Sequence, residues 1–119
     1  METVLTSFKN FRAGVHELKD CFGSDLHNVE IDTPCIVESF DLINAIDKFK
    51  KNEITKEVLL SWVNILWFTD LYEYCEDNEE SISSVMSLLE TLDEDGVVFS
   101  ENQYNDMIEA LKRNTQYVL

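Results

Sequence analysis

The chain has very few turn-forming residues, because its 119 residues include only three glycines and one proline. β-Sandwiches and β-barrels change direction roughly every 8–12 residues, and Gly and Pro supply many of those turns. So small a supply excludes such folds and favours helical segments joined by a few polar turns.

Targeting and crosslinking signals are also missing. No apolar run approaches the roughly 20 residues that a membrane span requires, and residues 1–11 lack the basic-then-apolar pattern of a secretory signal. Cys21, Cys35 and Cys75 are odd in number and have no Cys-x-x-Cys spacing, which argues against a disulfide framework and a zinc site. We therefore expect a cytoplasmic protein with reduced thiols.

Positive charge is scarce and confined to part of the chain. Nine Lys and Arg oppose 24 Asp and Glu, which gives a net charge of −15. Residues 57–111 contain fourteen acidic residues and no Lys, Arg or His. Such a field repels nucleic acid and anionic membranes, and it attracts basic partners over about 8 Å at physiological salt. The charge therefore predicts a basic protein partner, with no binding to nucleic acid or membranes.

Apolar residues are abundant and have helical spacing. They make up 45% of the chain and recur every three or four positions in five segments, which predicts five helices. In the second helix, Ile36, Phe40, Ile43, Ile46 and Phe49 are expected to face the core. The third is apolar nearly all round between Trp62 and Phe68, so we place it at the centre. The predicted helices cover about 2–22, 32–49, 56–75, 79–92 and the residues that follow a capping box at 100–103.

These features predict an all-α fold. The length is enough for one hydrophobic core and too short for two, and no linker or internal repeat interrupts the pattern. We expect a compact bundle of about five helices around a central aromatic helix, formed by a single domain over residues 1–119.

The acidic residues are placed where they oppose helix formation. On a third helix that continues to residue 75, Glu73, Glu76, Asp77 and Glu80 would form one stripe, and like charges at that spacing cost roughly 0.2–0.5 kcal/mol per pair. Glu73 and Glu76 would also lie in the last turn of that helix, where each acid costs on the order of 0.3–1 kcal/mol. A cost without a folding reason indicates retention for binding.

Two tyrosines flank one of these acids. Tyr72 and Tyr74 on either side of Glu73 are typical of an interface hot spot, in which the ring supplies buried area and carboxylates meet Arg or Lys. For Tyr72, on the core side of the predicted helix, core packing is the better explanation. The predicted partner-binding residues are Asp70, Tyr72, Glu73, Tyr74, Glu76, Asp77, Glu79, Glu80, Glu90, Asp93, Glu94 and Asp95.

Catalytic signals are weak. His16 and His27 are the only histidines, and neither belongs to a recognisable Ser/His/Asp or Cys/His motif. The acidic turn at 93–96 has the glycine of a calcium loop, but Asn102 occupies the twelfth position, where such a loop needs a bidentate Glu. We predict no enzymatic activity, no catalytic or metal-binding residue, no cofactor and no small-molecule substrate.

One enzymatic alternative stays open. Glu73-x-x-Glu76 and Glu90-x-x-Asp93 resemble the magnesium-binding pattern of all-α nucleotide pyrophosphohydrolases of the MazG type, in which carboxylates on two neighbouring helices hold the metal. Tyr72 stands where that family has the first Glu of its motif, and antiparallel helices would separate Glu76 from Glu90 by roughly 15–20 Å. A third possibility is an acidic inhibitor that mimics nucleic acid.

The second half of the chain resembles a different group of proteins. The aromatic helix from Trp62 to Tyr74, the acidic cluster after it, the segment Leu88–Gly96 and the final capped helix are similar to small helical bacterial immunity proteins, particularly those of contact-dependent growth inhibition systems. The resemblance implies an antitoxin that binds a cognate toxin domain. Such toxins are often nucleases, and their substrate grooves carry Lys and Arg that neutralise phosphates.

Overall fold

Helices form most of the structure. The computed structural model describes residues 3–117, and in this range the backbone forms six α-helices and two strands of three residues each. Their bounds are α1 Val4–Lys9, α2 Val15–Phe22, β1 Cys35–Val37, α3 Ser39–Lys50, α4 Lys56–Phe68, β2 Tyr72–Tyr74, α5 Glu79–Glu90 and α6 Glu101–Arg113.

The aromatic helix α4 lies at the centre, as predicted. It begins where expected, because the Thr55 hydroxyl accepts a hydrogen bond of 3.2 Å from the backbone N–H of Val58. Its buried side chains include Trp62, Val63 and Leu66, and the helix contacts α1, α3, α5 and β2. The predicted fold class is therefore confirmed: a mostly helical bundle surrounds α4.

Helix α4 ends seven residues earlier than the sequence pattern predicted. The Thr69 hydroxyl donates a 2.6 Å hydrogen bond to the carbonyl of Ile65 and accepts one of 3.3 Å from the N–H of Leu71. These two contacts turn the chain out of the helix. Residues 72–74 then form a strand parallel to β1, with Ile36 beside Glu73. The prediction of a helix that continues to residue 75 is wrong.

The first predicted helix is two helices. The chain leaves α1 at Asn10, and Phe11 adopts a left-handed backbone conformation with φ of 64°. Its ring stacks on that of Trp62 at a centroid distance of 5.4 Å, which fixes the bend. Helix α2 then begins where the Gly14 N–H donates a 2.7 Å hydrogen bond to the Glu17 carboxylate. The predicted start at Glu2 lies outside the described residues.

The second predicted helix begins later than expected. Residues 35–37 form β1, and α3 starts at Ser39, where the N–H of Glu38 donates a 2.8 Å hydrogen bond to the Asp41 carboxylate. This shift rotates the apolar positions. Ile36 is 44% exposed and Phe40 is 60% exposed, so the prediction that both face the core is wrong. Ile46 is buried as predicted, and Ile43 and Phe49 are partly buried and pack against the core; Leu42 and Ala45 are also buried.

The last two helices begin where the sequence predicted. Helix α5 starts at Glu79. Helix α6 follows a capping box in which the Ser100 hydroxyl accepts from the Gln103 N–H at 3.1 Å and the Gln103 side chain accepts from the Ser100 N–H at 2.7 Å. Helix α6 packs against α3 and α5. Within residues 3–117, no helix combines the length and the apolar character needed to cross a membrane.

A buried ion pair holds the N-terminal helix in place. Lys9 Nζ lies 3.2 Å from Asp41 Oδ2, and the two side chains are only 12% and 1% exposed. The same ammonium donates a 2.9 Å hydrogen bond to the carbonyl of Ile36. In return, carbonyls of α1 accept hydrogen bonds from Trp62 Nε1 at 3.0 Å and from the Tyr72 hydroxyl at 2.5 Å. These contacts join α1 to β1, α3, α4 and β2.

We expect Lys9→Met to lower the free energy of unfolding by about 3–5 kcal/mol, because it leaves the buried Asp41 carboxylate without its counter-charge. The double variant Lys9→Met/Asp41→Asn, which removes both charges, should lose less. Urea unfolding followed by circular dichroism measures both values. Equal losses in the two variants would show that the unpaired Asp41 charge is not the cause of the lower stability.

Candidate functional site

All ten predicted acidic site residues are exposed, but they form two groups rather than one. The eleven residue steps of α5 separate the groups by about 16 Å at 1.5 Å per residue. We call Asp70, Glu73, Glu76, Asp77, Glu79 and Glu80 the strand-side acids, and Glu90, Asp93, Glu94 and Asp95 the turn-side acids. The predicted continuous stripe on one helix is wrong, because α4 ends at Phe68.

The carboxylates of both groups have no partner among the described residues. Basic side chains in residues 3–117 form ion pairs with other acids: Lys9 with Asp41, His16 with Asp20, Lys48 with Glu53, Lys51 with Asp47, and Arg113 with Glu109. Within that range, no salt bridge reaches a strand-side or turn-side acid. Within the described residues, no basic side chain neutralises the negative charge of these two groups.

Helix polarity favours two of the six strand-side acids, and it opposes the others less than predicted. Glu73 lies on β2, and Glu76 lies in the 3₁₀ turn Glu76–Asn78 that leads into α5. Glu79 and Glu80 occupy the first turn of α5, where the partial positive charge of a helix N-terminus stabilises carboxylates. The predicted cost at a helix C-terminus therefore does not arise for Glu73 or Glu76, while Glu90 is the last residue of α5, as expected.

The segment that carries the strand-side acids is held through its backbone. The N–H of Cys75 donates a 2.9 Å hydrogen bond to the carbonyl of Val37. The Asn114 side chain donates to the carbonyl of Asp77 at 2.5 Å and accepts from the Ser81 hydroxyl at 3.2 Å. Asn114 has a φ of 54°, a conformation that Asn tolerates better than most residues. The segment is thus fixed without use of its carboxylates.

The two predicted contact tyrosines point inward. Tyr72 is buried, and its hydroxyl donates to the carbonyl of Leu5 at 2.5 Å. The ring of Tyr74 lies 5.7 Å from that of Trp67, and its hydroxyl is buried without a hydrogen-bond partner among residues 3–117. Burial raises the pKa of both tyrosines far above the usual value. Neither side chain presents the exposed ring and hydroxyl that an interface hot spot needs.

Two exposed apolar side chains lie near the strand-side acids, and the sequence pattern did not predict either as a partner-binding residue. Ile36 is 44% exposed, and it is the strand neighbour of Glu73 on the outer face of the sheet. Phe68 is 45% exposed at the end of α4, two residues before Asp70. The exposure of Phe68 follows from the early end of α4, and the position of Ile36 beside Glu73 follows from the register of the two strands.

A shallow depression adds another acid to this surface. Glu30 lines it together with Ile31, Pro34, Asp70 and Glu73, and its volume is about 420 Å³. Glu30 lies outside the acidic half of the chain, so sequence spacing gave no reason to group it with the strand-side acids. The depression offers carboxylates beside apolar atoms, which suits the aliphatic stem and charged head of Lys or Arg.

The turn-side acids have a more mixed environment. Glu90 and Asp93 line a groove of about 410 Å³ between α2 and α4, which Lys19 and His27 also line. His27 Nε2 lies 3.0 Å from the side-chain oxygen of Asn64. Because a lysine shares this groove, positive and negative side chains lie together here, unlike at the strand-side acids.

The magnesium pattern of the enzymatic alternative is not assembled. That pattern requires carboxylates on two neighbouring helices, whereas Glu73 lies on a strand and Glu76 in a 3₁₀ turn. Among residues 3–117, no three His, Cys, Asp or Glu side chains are grouped so that they could hold a metal ion. The fold therefore gives this alternative no structural support.

No protein-family model, curated protein or solved structure matches this chain.

We expect opposite effects from removal of the two tyrosine hydroxyls. Tyr72→Phe should lower the free energy of unfolding by about 1 kcal/mol, because it removes the hydrogen bond to Leu5. Tyr74→Phe should be neutral or stabilising, because it removes a buried hydroxyl that lacks a partner. Chemical denaturation of the matched pair measures the difference, and equal destabilisation would contradict the placement of Tyr74.

The tyrosines also predict a loss of stability in alkali. Burial raises the pKa of all four, Tyr72, Tyr74, Tyr104 and Tyr117, in the folded chain, whereas the unfolded chain ionises near pH 10. Their contribution is present below about pH 10 and is lost as pH rises further, since the unfolded state then releases more protons. Absorbance at the phenolate band should rise together with the loss of helical circular dichroism.

The double variant Tyr72→Phe/Tyr74→Phe is the control for this titration. It removes the two tyrosines whose pKa values are raised most, so its stability should fall less steeply with pH. Phenolate absorbance that appears while the helices stay intact would contradict the burial argument.

Proposed function

We propose that the chain is an immunity protein that binds a basic toxin domain through the strand-side surface and thereby neutralises it. The strand-side surface consists of the strand-side acids together with Ile36 and Phe68. The observation that carries the proposal is the set of exposed carboxylates without ion-pair partners in the described chain, set beside these two exposed apolar side chains.

The chemistry of this surface fits a basic protein better than a small ligand. Interface centres combine apolar contact area with charges that complement the partner. Ile36 and Phe68 supply the apolar area, while Glu73 and its neighbours supply the charge. A negative field of this kind also speeds encounter with a basic domain, and the rate then falls as salt increases.

A nuclease toxin would present a suitable counterpart. Its substrate groove carries Lys and Arg to neutralise phosphates, so a rigid acidic surface can cover the groove or its rim and exclude the substrate. This mode of inhibition needs no catalytic group and no cofactor on the inhibitor. It also needs a firm support for the acids, which the contacts of Asn114 and Cys75 supply.

The test is binding to the basic toxin domain encoded beside the gene for this chain, measured by calorimetry at two salt concentrations. Glu73→Lys/Glu76→Lys should weaken binding by at least about 100-fold, because a charge reversal replaces an attraction with a repulsion at the interface. It should also reduce the slope of affinity against salt.

Glu101→Lys/Asp106→Lys on α6 is the matched control. It changes the net charge by the same amount at exposed positions, so it separates the local surface from the overall field. Equal weakening by both double variants would contradict the assignment of the strand-side surface. Competition with DNA for a polymerase or an effector nuclease, in place of the toxin, would instead favour a nucleic-acid mimic.

A further inference from the structure

Phe40 and Ile43 form a second apolar stripe on helix α3, and only its Ile43 end packs against the core. The buried stripe of α3 includes Leu42 and Ile46. Phe40 and Ile43 lie on another side of the helix, three residues apart, and Phe40 is 60% exposed. An aromatic side chain this exposed loses the free energy that burial would give it. The Phe40 end of the stripe therefore has no role in the core of a single copy.

A depression adjoins this stripe. Phe40 and Ile43 of α3 line it together with Ile108 and Lys112 of α6, and its volume is about 580 Å³. The exposed ring of Phe40 thus stands at the edge of a hollow formed by the two helices. A protrusion and a hollow on one face are the elements of a self-complementary contact, in which two copies related by a two-fold axis each fill the hollow of the other.

The charge of this face distinguishes it from the rest of the molecule. Helices α3 and α6 hold four basic and five acidic residues, a net charge of −1, so the remaining residues carry −14 of the net charge of −15. The basic residues are Lys48, Lys50, Lys112 and Arg113, and the acidic residues are Asp41, Asp47, Glu101, Asp106 and Glu109.

This charge balance indicates which kind of protein would bind the α3–α6 face. Two copies that each carry −15 repel one another strongly unless their nearly neutral faces meet. A basic partner gains nothing from a face on which Lys51 pairs with Asp47 at 2.9 Å and Arg113 with Glu109 at 3.4 Å. The face therefore suits a second copy of this chain better than a basic protein.

We propose that the chain forms a two-fold symmetric dimer through the α3–α6 face. The Phe40 ring of each copy enters the depression between α3 and α6 of the other. This contact uses different helices from the strand-side surface, so it does not depend on the proposed function.

Sedimentation velocity of the full chain tests the proposal, over protein concentrations from about 10 μM to about 1 mM, a range that covers weak association. We expect a monomer–dimer equilibrium whose dissociation constant falls as salt rises, because salt screens the repulsion between copies. Phe40→Ser should raise that constant by about 10- to 30-fold, as for the loss of a central interface aromatic.

Phe68→Ser is the matched control, since it makes the same change at another exposed Phe and should leave the dimer intact. Asn44→Arg, which places a long charged side chain in the depression, should also abolish the dimer and serves if Phe40→Ser fails to fold. A monomer throughout the range, or a dimer that both variants leave unchanged, would overturn the proposal. Loss of toxin binding in Phe40→Ser without any change of oligomeric state would also overturn it.

Discussion

The Lys9–Asp41 ion pair and the hydrogen bonds around it are the constraint on which the rest of the structure depends. A two-stranded sheet of three-residue strands has little stability by itself, so β1 and β2 must be positioned by their surroundings. Lys9 contacts the β1 carbonyl of Ile36, and Tyr72 of β2 donates to Leu5 of α1. The N-terminal helix thus fixes the strand that carries Glu73.

The strand conformation decides which side chains of the Tyr-Glu-Tyr element reach solvent. Successive side chains of a strand point to opposite faces, so Tyr72 and Tyr74 turn inward while Glu73 turns outward. A helix would have spread the three residues around its circumference instead. The single outward carboxylate then stands beside Ile36 of β1, and this juxtaposition of apolar and acidic side chains requires the parallel pairing.

Features with local causes could be predicted from the sequence, whereas features with distant causes could not. The starts of α4 and α6 follow from Thr55 and Ser100, which cap helices through their immediate neighbours, and the acidic half of the chain follows from composition alone. The strand conformation of residues 72–74 depends on a strand partner more than thirty residues away. The outward position of Phe40 depends on the late start of α3, since a shift of a few residues rotates every side chain of a helix.

The contacts that hold the strand-side acids in place do not involve their carboxylates. Every hydrogen bond that anchors residues 75–81 within the described chain uses backbone groups of that segment or the hydroxyl of Ser81, and Asn114 supplies the main side-chain contact. The carboxylates remain outside this network. Because no side chain of the described residues pairs with them, these carboxylates stay available for a cationic surface. Their mutual repulsion in the free protein would be relieved on binding, so the same charges that burden the isolated chain would favour its complex.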